Sequence, residues 1–335
     1  MSFKDIKDQD KAIQILKEHI RQSRLSHGYL FIGPEGVGKK MAAKALAKAL
    51  NCENEALDSC DRCVSCLKIE KNQHPDVSII DASTPLNSNY EQSKSETGNS
   101  QAIKIGHIRQ LQKDINLKPY EAKLKVFIID NAHNLTPEAS NALLKILEEP
   151  PAKSLIILVS AKPTLLFKTI ISRCQVVKFY PLAREQLREV LSRDYGLETN
   201  LAHFLAYFCE GRLGKALALK DTDILREKNR IIDTFALYGK SGFENLSIKR
   251  EDVRNILNIL TTWFRDIYLI KIGMPHLELI NFDRKSELLK FMQHFSFMDL
   301  DEILNCISDS LSYLEQNINT KLLLSNLRGR ISYVA

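Results

Sequence analysis

Gly28-Tyr-Leu-Phe-Ile-Gly33-Pro-Glu-Gly-Val-Gly-Lys39-Lys40 is the stretch that decides the fold. It opens on a short apolar run, and Gly33 to Lys39 then fit the pattern G-x-x-x-x-G-K in full. The segment Met41 to Leu50 that follows is alanine-rich, one of the best helix-forming compositions. Strand, glycine loop and helix in that order are the context a phosphate-binding loop requires. Its amides cradle phosphates and its lysine reaches toward the β and γ positions. Gly33, Gly36, Gly38, Lys39 and the next residue, Lys40, are therefore the candidate nucleotide-binding residues of this loop.

Two further strands stand out, Lys125-Val-Phe-Ile-Ile-Asp130 and Ser154-Leu-Ile-Ile-Leu-Val-Ser160. Both are nearly continuous apolar runs, as strands covered on both faces of a parallel sheet should be. Between them Thr136-Pro137 supplies a cap and a first-turn proline, and Pro150-Pro151 stops the helix Glu138 to Glu149. The fold class is thus an α/β P-loop domain, a parallel sheet with flanking helices. After Pro181 only amphipathic helical patterns follow, and the polar stretch Tyr238 to Ser247, with two glycines, marks a second boundary. Beyond it Val253, Ile256, Leu257, Leu260, Trp263, Phe264 and Ile267 recur at helical spacing and read as core. The expected domains are 1–180, carrying the sheet; 181–240, small and helical; and 241–335, all helical. Within the first, the polar segment Ala82 to Gln101 reads as a mobile surface insertion (82–101), a functional loop being the alternative.

Length agrees with this division, since 335 residues at roughly 150 per domain make two or three units. With 44% apolar residues there is material for cores, yet no apolar run approaches the roughly 18 to 20 residues of a bilayer span, so a membrane-spanning role is excluded. Met1 to Ile20 mixes charges into every turn and lacks an export signal, which predicts a cytoplasmic protein. The net charge of +6 is too modest to predict a nucleic-acid partner by itself. Few glycines and prolines favour long helices.

Two residues depart from what ATP hydrolysis needs. The phosphate-loop pattern continues with Ser or Thr, whose hydroxyl binds magnesium, but here stands Lys40, which has no lone pair to offer and carries the wrong charge. Asp130 ends its strand as the expected metal-binding acid, but the residue after it is Asn131, which cannot act as a base at neutral pH. Together they predict that ATP is not hydrolysed here, leaving open support of the fold alone or residual nucleotide binding. His133 is read as a hydrogen-bonded structural histidine, a substitute base being the alternative.

Cys52, Cys60, Cys63 and Cys66 give C-x7-C-x2-C-x2-C within fifteen residues. Four thiolates at that spacing match a closed tetrahedral zinc site, structural rather than catalytic. An iron-sulfur cluster is the rival, but the Cys-Pro of the ferredoxin-like run is missing. Cys174, Cys209 and Cys306 are scattered and read as buried thiols.

Following the third strand, Ser172-Arg173-Cys174-Gln175 resembles the S-R-C motif of clamp-loader AAA+ proteins. The resemblance extends to His27-Gly-Tyr-Leu-Phe31, the four cysteines, His74-Pro75-Asp76, the run Ala139-Ser-Asn-Ala-Leu-Leu-Lys-Ile-Leu-Glu-Glu-Pro-Pro151 and Asn317-Ile-Asn-Thr-Lys-Leu-Leu-Leu324, which is similar to the collar signature of the same family. The chain thus resembles the clamp-loader family of bacterial DNA polymerase III. That resemblance implies a RecA-like AAA+ domain over 1–180 with a zinc module (52–66), a helical lid over 181–240 and an oligomerising collar over 241–335. It implies as partners the gamma/tau ATPase subunits and the delta subunit, and, through the assembled complex, the sliding clamp and primed DNA. In that family Arg173, with Ser172 and Cys174, would point across an interface at a neighbour's γ-phosphate.

Motor subunits of the family keep Ser or Thr after the loop lysine, Glu after the strand-ending acid and an arginine in a lid G-S-x-R motif. This chain has Lys40, Asn131 and Gly214, with Arg212 and Lys215 nearby as partial substitutes. The changes favour the delta-prime branch, a stator without its own turnover. An active gamma/tau-type motor and a zinc-ribbon nucleic-acid-binding protein with an incidental loop are the alternatives.

Overall fold

The protein is described by a computed structural model over residues 1–54, 57–85, 102–237, 250–274, 279–316 and 318–334. Most of the insertion 82–101, the boundary Tyr238 to Ser247 and Asn317 lie outside the described residues. The chain forms two compact units, Met1–Leu182 with Arg212–Gly214, and Ala183–Gly211 with Lys215–Ala335.

In the first unit five parallel strands are ordered β2-β3-β4-β1-β5. They are β1 (Gly28–Ile32), β2 (Val77–Ile80), β3 (Lys125–Ile129), β4 (Ser154–Ser160) and β5 (Gln175–Lys178). The six helices are α1 (Asp10–Arg21), α2 (Lys39–Asn51), α3 (Val64–Glu70), α4 (Ile105–Asn116), α5 (Pro137–Glu148) and α6 (Lys168–Ser172). All residues of β3 and β4 are buried, which is what their unbroken apolar runs require. Side chains alternate across the sheet: Tyr29, Phe31, Val126, Ile128, Ile157 and Val159 pack with α1 and α2, whereas Leu30, Phe127, Ile129, Ile156 and Leu158 pack with α4 and α5. Helix α5 begins as its sequence dictates, with the Thr136 hydroxyl accepting the Ala139 N–H at 3.2 Å and Pro137 in the first turn.

Strand order and register place the site. Leu30 of β1 pairs with Leu158 of β4, which pairs with Ile129 of β3. The chain therefore leaves β1 into the glycine loop and β3 into Asp130 at the same edge of the sheet, the carboxyl ends of the strands, where ligands of parallel sheets bind.

Among the described residues of the second unit all regular structure is helical: α7 (Arg184–Tyr195), α8 (Thr199–Phe208), α9 (Leu213–Leu219, whose first two residues belong to the first unit), α10 (Ile224–Ile232), α11 (Arg250–Ile272), α12 (Lys285–Phe291), α13 (Phe297–Glu315) and α14 (Thr320–Val334). The stripe from Val253 to Ile267 on α11 is buried throughout, as its spacing predicts. Two charges lie beneath it without any periodic signal. Lys228 is buried and paired with both oxygens of Asp283 at 2.7 Å, and the buried carboxylate of Asp266 accepts N–H groups from Ile280 and Asn281.

Candidate functional site

The glycine loop folds tightly over the sheet edge. Gly33 has φ +150°, and a Cβ there would sit 2.3 Å from the Phe179 carbonyl oxygen, so only glycine fits. Gly38, also at positive φ, caps α2, whose first residue is Lys39. The Lys39 side chain is buried and its Nζ donates to the carbonyls of Gly33 at 2.6 Å and Pro34 at 2.5 Å. Burial pushes this ammonium down to about 8, against the opposing pull of Glu35 and Asp130.

Asp130 is committed on both oxygens: Oδ1 accepts the Asn131 N–H at 3.0 Å, and Oδ2 lies 2.9 Å from Lys40 Nζ. Asn131 is exposed and left-handed at φ 52°. His133 Nδ1 lies 3.4 Å from Ser160 Oγ, the structural setting expected of it, and burial lowers its imidazole below the ordinary value. The structure thus brings Lys39, Lys40, Asp130 and Asn131 to one edge, as the motif predicts, and adds a contact between Lys40 and Asp130 that the sequence does not disclose.

Gly214 completes this face from the far side of the chain. Its N–H donates to the Gly36 carbonyl at 2.7 Å, and a Cβ would meet that oxygen at 2.9 Å and the Gly36 Cα at 3.0 Å. No side chain fits at 214 while this contact persists, so the glycine here is a packing requirement.

Arg173 follows α6, away from the loop. Its Nη1 donates to the Thr169 carbonyl at 3.1 Å and its Nη2 pairs with Glu148 of α5 at 2.9 Å. The side chain is 36% exposed, so the guanidinium is presented to solvent from a short, well-bonded turn. The Ser172 hydroxyl donates to the Thr169 carbonyl at 3.0 Å. Burial pushes the half-buried Cys174 thiol up to about 12, which keeps it protonated and inert. Cys209 is buried as expected, whereas Cys174 and Cys306 are both half-buried, more open than the sequence reading expected.

The four clustered cysteines come together with all sulfurs within 4.8 Å of one another. Four bonds of 2.3 Å in a tetrahedron would set sulfurs about 3.8 Å apart, so the cluster can hold a metal ion after a small contraction. Cys60 Sγ accepts the Cys63 N–H at 3.3 Å, and Cys63 Sγ, capping α3, accepts the Cys66 N–H at 3.4 Å. Donation from Arg62 and Cys63 lowers Cys60 to about 6, favouring the thiolate a metal needs, whereas burial raises Cys66.

Sequence reasoning missed what anchors this module. Lys48 of α2 is buried and pairs with Asp61 at 2.9 Å and with Glu70, so one ammonium ties the cysteine excursion and α3 to the helix after the glycine loop. Only an isolated lysine on the apolar face of α2 signals it. His74-Pro75-Asp76, quoted above for the resemblance, is also structural: Asp76 accepts the N–H groups of Tyr120, Glu121 and Ala122 at 2.8–2.9 Å.

A phosphate loop after β1 of a parallel sheet, with an acid ending the strand two places away, defines a P-loop domain of the AAA+ class. The family model for the DNA polymerase III delta subunit matches residues 8–183, and the one for that subunit's C-terminal part matches 243–330. The chain belongs to this DNA polymerase III delta-subunit family of clamp-loader proteins. It is 27% identical to the DNA polymerase III subunit delta' of Bacillus subtilis, over 98% of this chain and 97% of that one. It is 31% identical to the tau subunit of the same organism, over 82% of this chain but 51% of tau, so it spans about half the length of that relative. A solved gamma-subunit-related protein of Thermotoga maritima aligns with 98% of this chain and 100% of its own at 16% identity and a TM-score of 0.45. Among the described residues no helix is long and apolar enough to cross a membrane.

Proposed function

We propose that this chain is the stator subunit of a clamp loader, unable to fire its own nucleotide site and donating Arg173 in trans to ATP held by a neighbouring gamma/tau-type subunit. The observation that carries the reading is the contrast between two sites. At the first, Lys40 engages the acid that would bind magnesium and Asn131 stands where a base is needed. At the second, Arg173 is exposed, and its acidic partner is a solvent-accessible glutamate that a stronger anion can displace.

In this reading the enzymatic event belongs to the partner, and the assembled complex loads a sliding clamp onto primed DNA in the cytoplasm. Residues 1–180 form the AAA+ domain, 181–240 the lid and 241–335 the collar that holds gamma/tau and delta subunits. Zinc is the metal assigned to Cys52, Cys60, Cys63 and Cys66, because four thiolates without an open position suit its tetrahedral preference. It would tie the end of α2 to α3 and take no part in chemistry.

The test is steady-state ATP turnover by a loader reconstituted with gamma/tau and delta subunits. An arginine finger is worth about 10³ to 10⁵ in rate in other NTPases, so Arg173→Ala should depress turnover at least a hundredfold with assembly intact, and Arg173→Lys should not rescue it. Full activity in the Arg173→Ala loader would refute the finger role. The isolated chain should not hydrolyse Mg-ATP, and clear turnover would make it a motor instead.

A further inference from the structure

Members of the P-loop class hold magnesium between the loop hydroxyl and the acid ending the neighbouring strand. The residues present here do not fit that ion. Position 40 offers three N–H donors and no lone pair, and its Nζ lies 2.9 Å from Asp130 Oδ2, the oxygen a metal shell would need. Asp130 Oδ1 is taken by the Asn131 N–H. A divalent cation entering this position would have to displace an ammonium and then stand beside it.

The rest of the cradle is intact. Gly33, Gly36 and Gly38 all have positive φ, and α2 begins at Lys39 with its N-terminal amides toward the loop. The buried Lys39 ammonium rests on two neutral carbonyls, and among the described residues no carboxylate lies within ion-pair distance of it. Burial lowers this ammonium to about 8 despite the pull of Glu35 and Asp130, so an anion arriving at the loop adds a closer countercharge than the fold supplies.

We propose that Lys40 is a built-in replacement for the metal, and that the loop binds a nucleoside di- or triphosphate as the metal-free anion, with Lys39 and Lys40 supplying the countercharge. Lys40 is ion-paired with Asp130 and still has N–H donors to offer phosphate oxygens, which lets one side chain bridge the acid and the ligand as magnesium does. A ligand so held would order the loop and its contact with Gly214 without being turned over. The inference rests on the non-hydrolysing reading above and specifies what the silent site takes.

The experiment is calorimetric titration of the full, zinc-loaded chain with ADP and with ATP, once in magnesium-free buffer without chelator and once in excess magnesium. The wild type should bind at least tenfold more tightly without magnesium, because the magnesium complex brings its cation onto Lys40. Lys40→Thr, at a half-exposed position that should not disturb folding, should reverse the order and bind better with magnesium. Absence of binding without magnesium at millimolar nucleotide, tighter wild-type binding with magnesium, or an unchanged preference in Lys40→Thr would each overturn the proposal. Phosphate release is followed in the same samples: turnover would overturn the non-hydrolysing reading, whereas tighter binding with magnesium and no turnover would overturn this inference alone.

Discussion

The guanidinium of Arg173 and the carboxylate of Glu148 meet at 2.9 Å across the ends of α6 and α5, so the residue proposed to act on a neighbour is held in cis within its own chain. Both side chains are substantially exposed, and such pairs are worth about 0–1 kcal/mol. The pair can hold an orientation but cannot withhold the arginine from a polyphosphate. Glu148→Gln should leave folding unchanged and alter turnover of a reconstituted loader by no more than about fivefold, the equivalent of 1 kcal/mol. A loss comparable to that of Arg173→Ala would instead make Glu148 part of the acting assembly, and steady-state ATP hydrolysis distinguishes the two.

Gly214 gives a prediction of the opposite kind, in which a single methyl group matters. An added Cβ would lie 2.9 Å from the Gly36 oxygen, and the atom it meets is backbone rather than a movable side chain. Gly214→Ala should therefore break the 2.7 Å bond from its N–H or push the glycine loop aside, costing about 1–3 kcal/mol in urea unfolding. Gly214→Arg should cost at least as much and should not create a working lid arginine. A neutral Gly214→Ala would show that the segment 212–214 leaves the loop freely.

What the sequence disclosed follows a physical pattern. The glycine loop, β3, β4 and the α11 stripe were legible because each is a local signal, either a fixed spacing or a long apolar run with one period. Strands β2 and β5 were not, being four residues long, with polar Ser78, Gln175 and Lys178 at the sheet's edges. Lys40 and Asp130 were each recognisable, but their contact spans ninety residues and appears only when β1, β4 and β3 are aligned in register. Lys228 and Asp266 were invisible, and Lys48 only faintly marked, for another reason. A buried charge is defined by partners, and those of Lys228 and Asp266 come from elements whose placement no local pattern predicts.

The cysteine cluster predicts a metal-dependent local structure. Chelation, or Cys63→Ser, should abolish a single bound zinc and expose the segment from Cys52 to Glu70 to proteolysis. Helix α2 should resist longer, since its apolar face packs on the sheet independently of the metal. Cys174→Ser should retain the metal, its sulfur lying outside the cluster. Metal analysis with thiol counting checks both, and four freely titrating thiols with no metal in the native protein would remove the assignment.

Asp76 predicts the acid sensitivity of the first unit. Burial alone would raise its carboxyl, but the N–H groups of Tyr120, Glu121 and Ala122, with Lys125 nearby, outweigh it and hold the folded value below the ordinary 3.8. The sign follows from linkage: the unfolded chain binds this proton at a higher pH than the folded one. The stabilisation is therefore present in full above the unfolded value and drains away as pH falls through the folded one. Asp76→Ala would leave three amides without their acceptor at a nearly fully buried site, a loss of about 3 kcal/mol or more at pH 7. Asp76→Asn, which keeps one acceptor oxygen and does not titrate, should lose less, and its deficit relative to the wild type should shrink as pH falls below the ordinary carboxylate value. Urea unfolding of the two proteins across that fall in pH reads the difference directly. Parallel curves would mean that the Asp76 carboxylate is not what holds the turn from Tyr120 to Ala122 against the sheet.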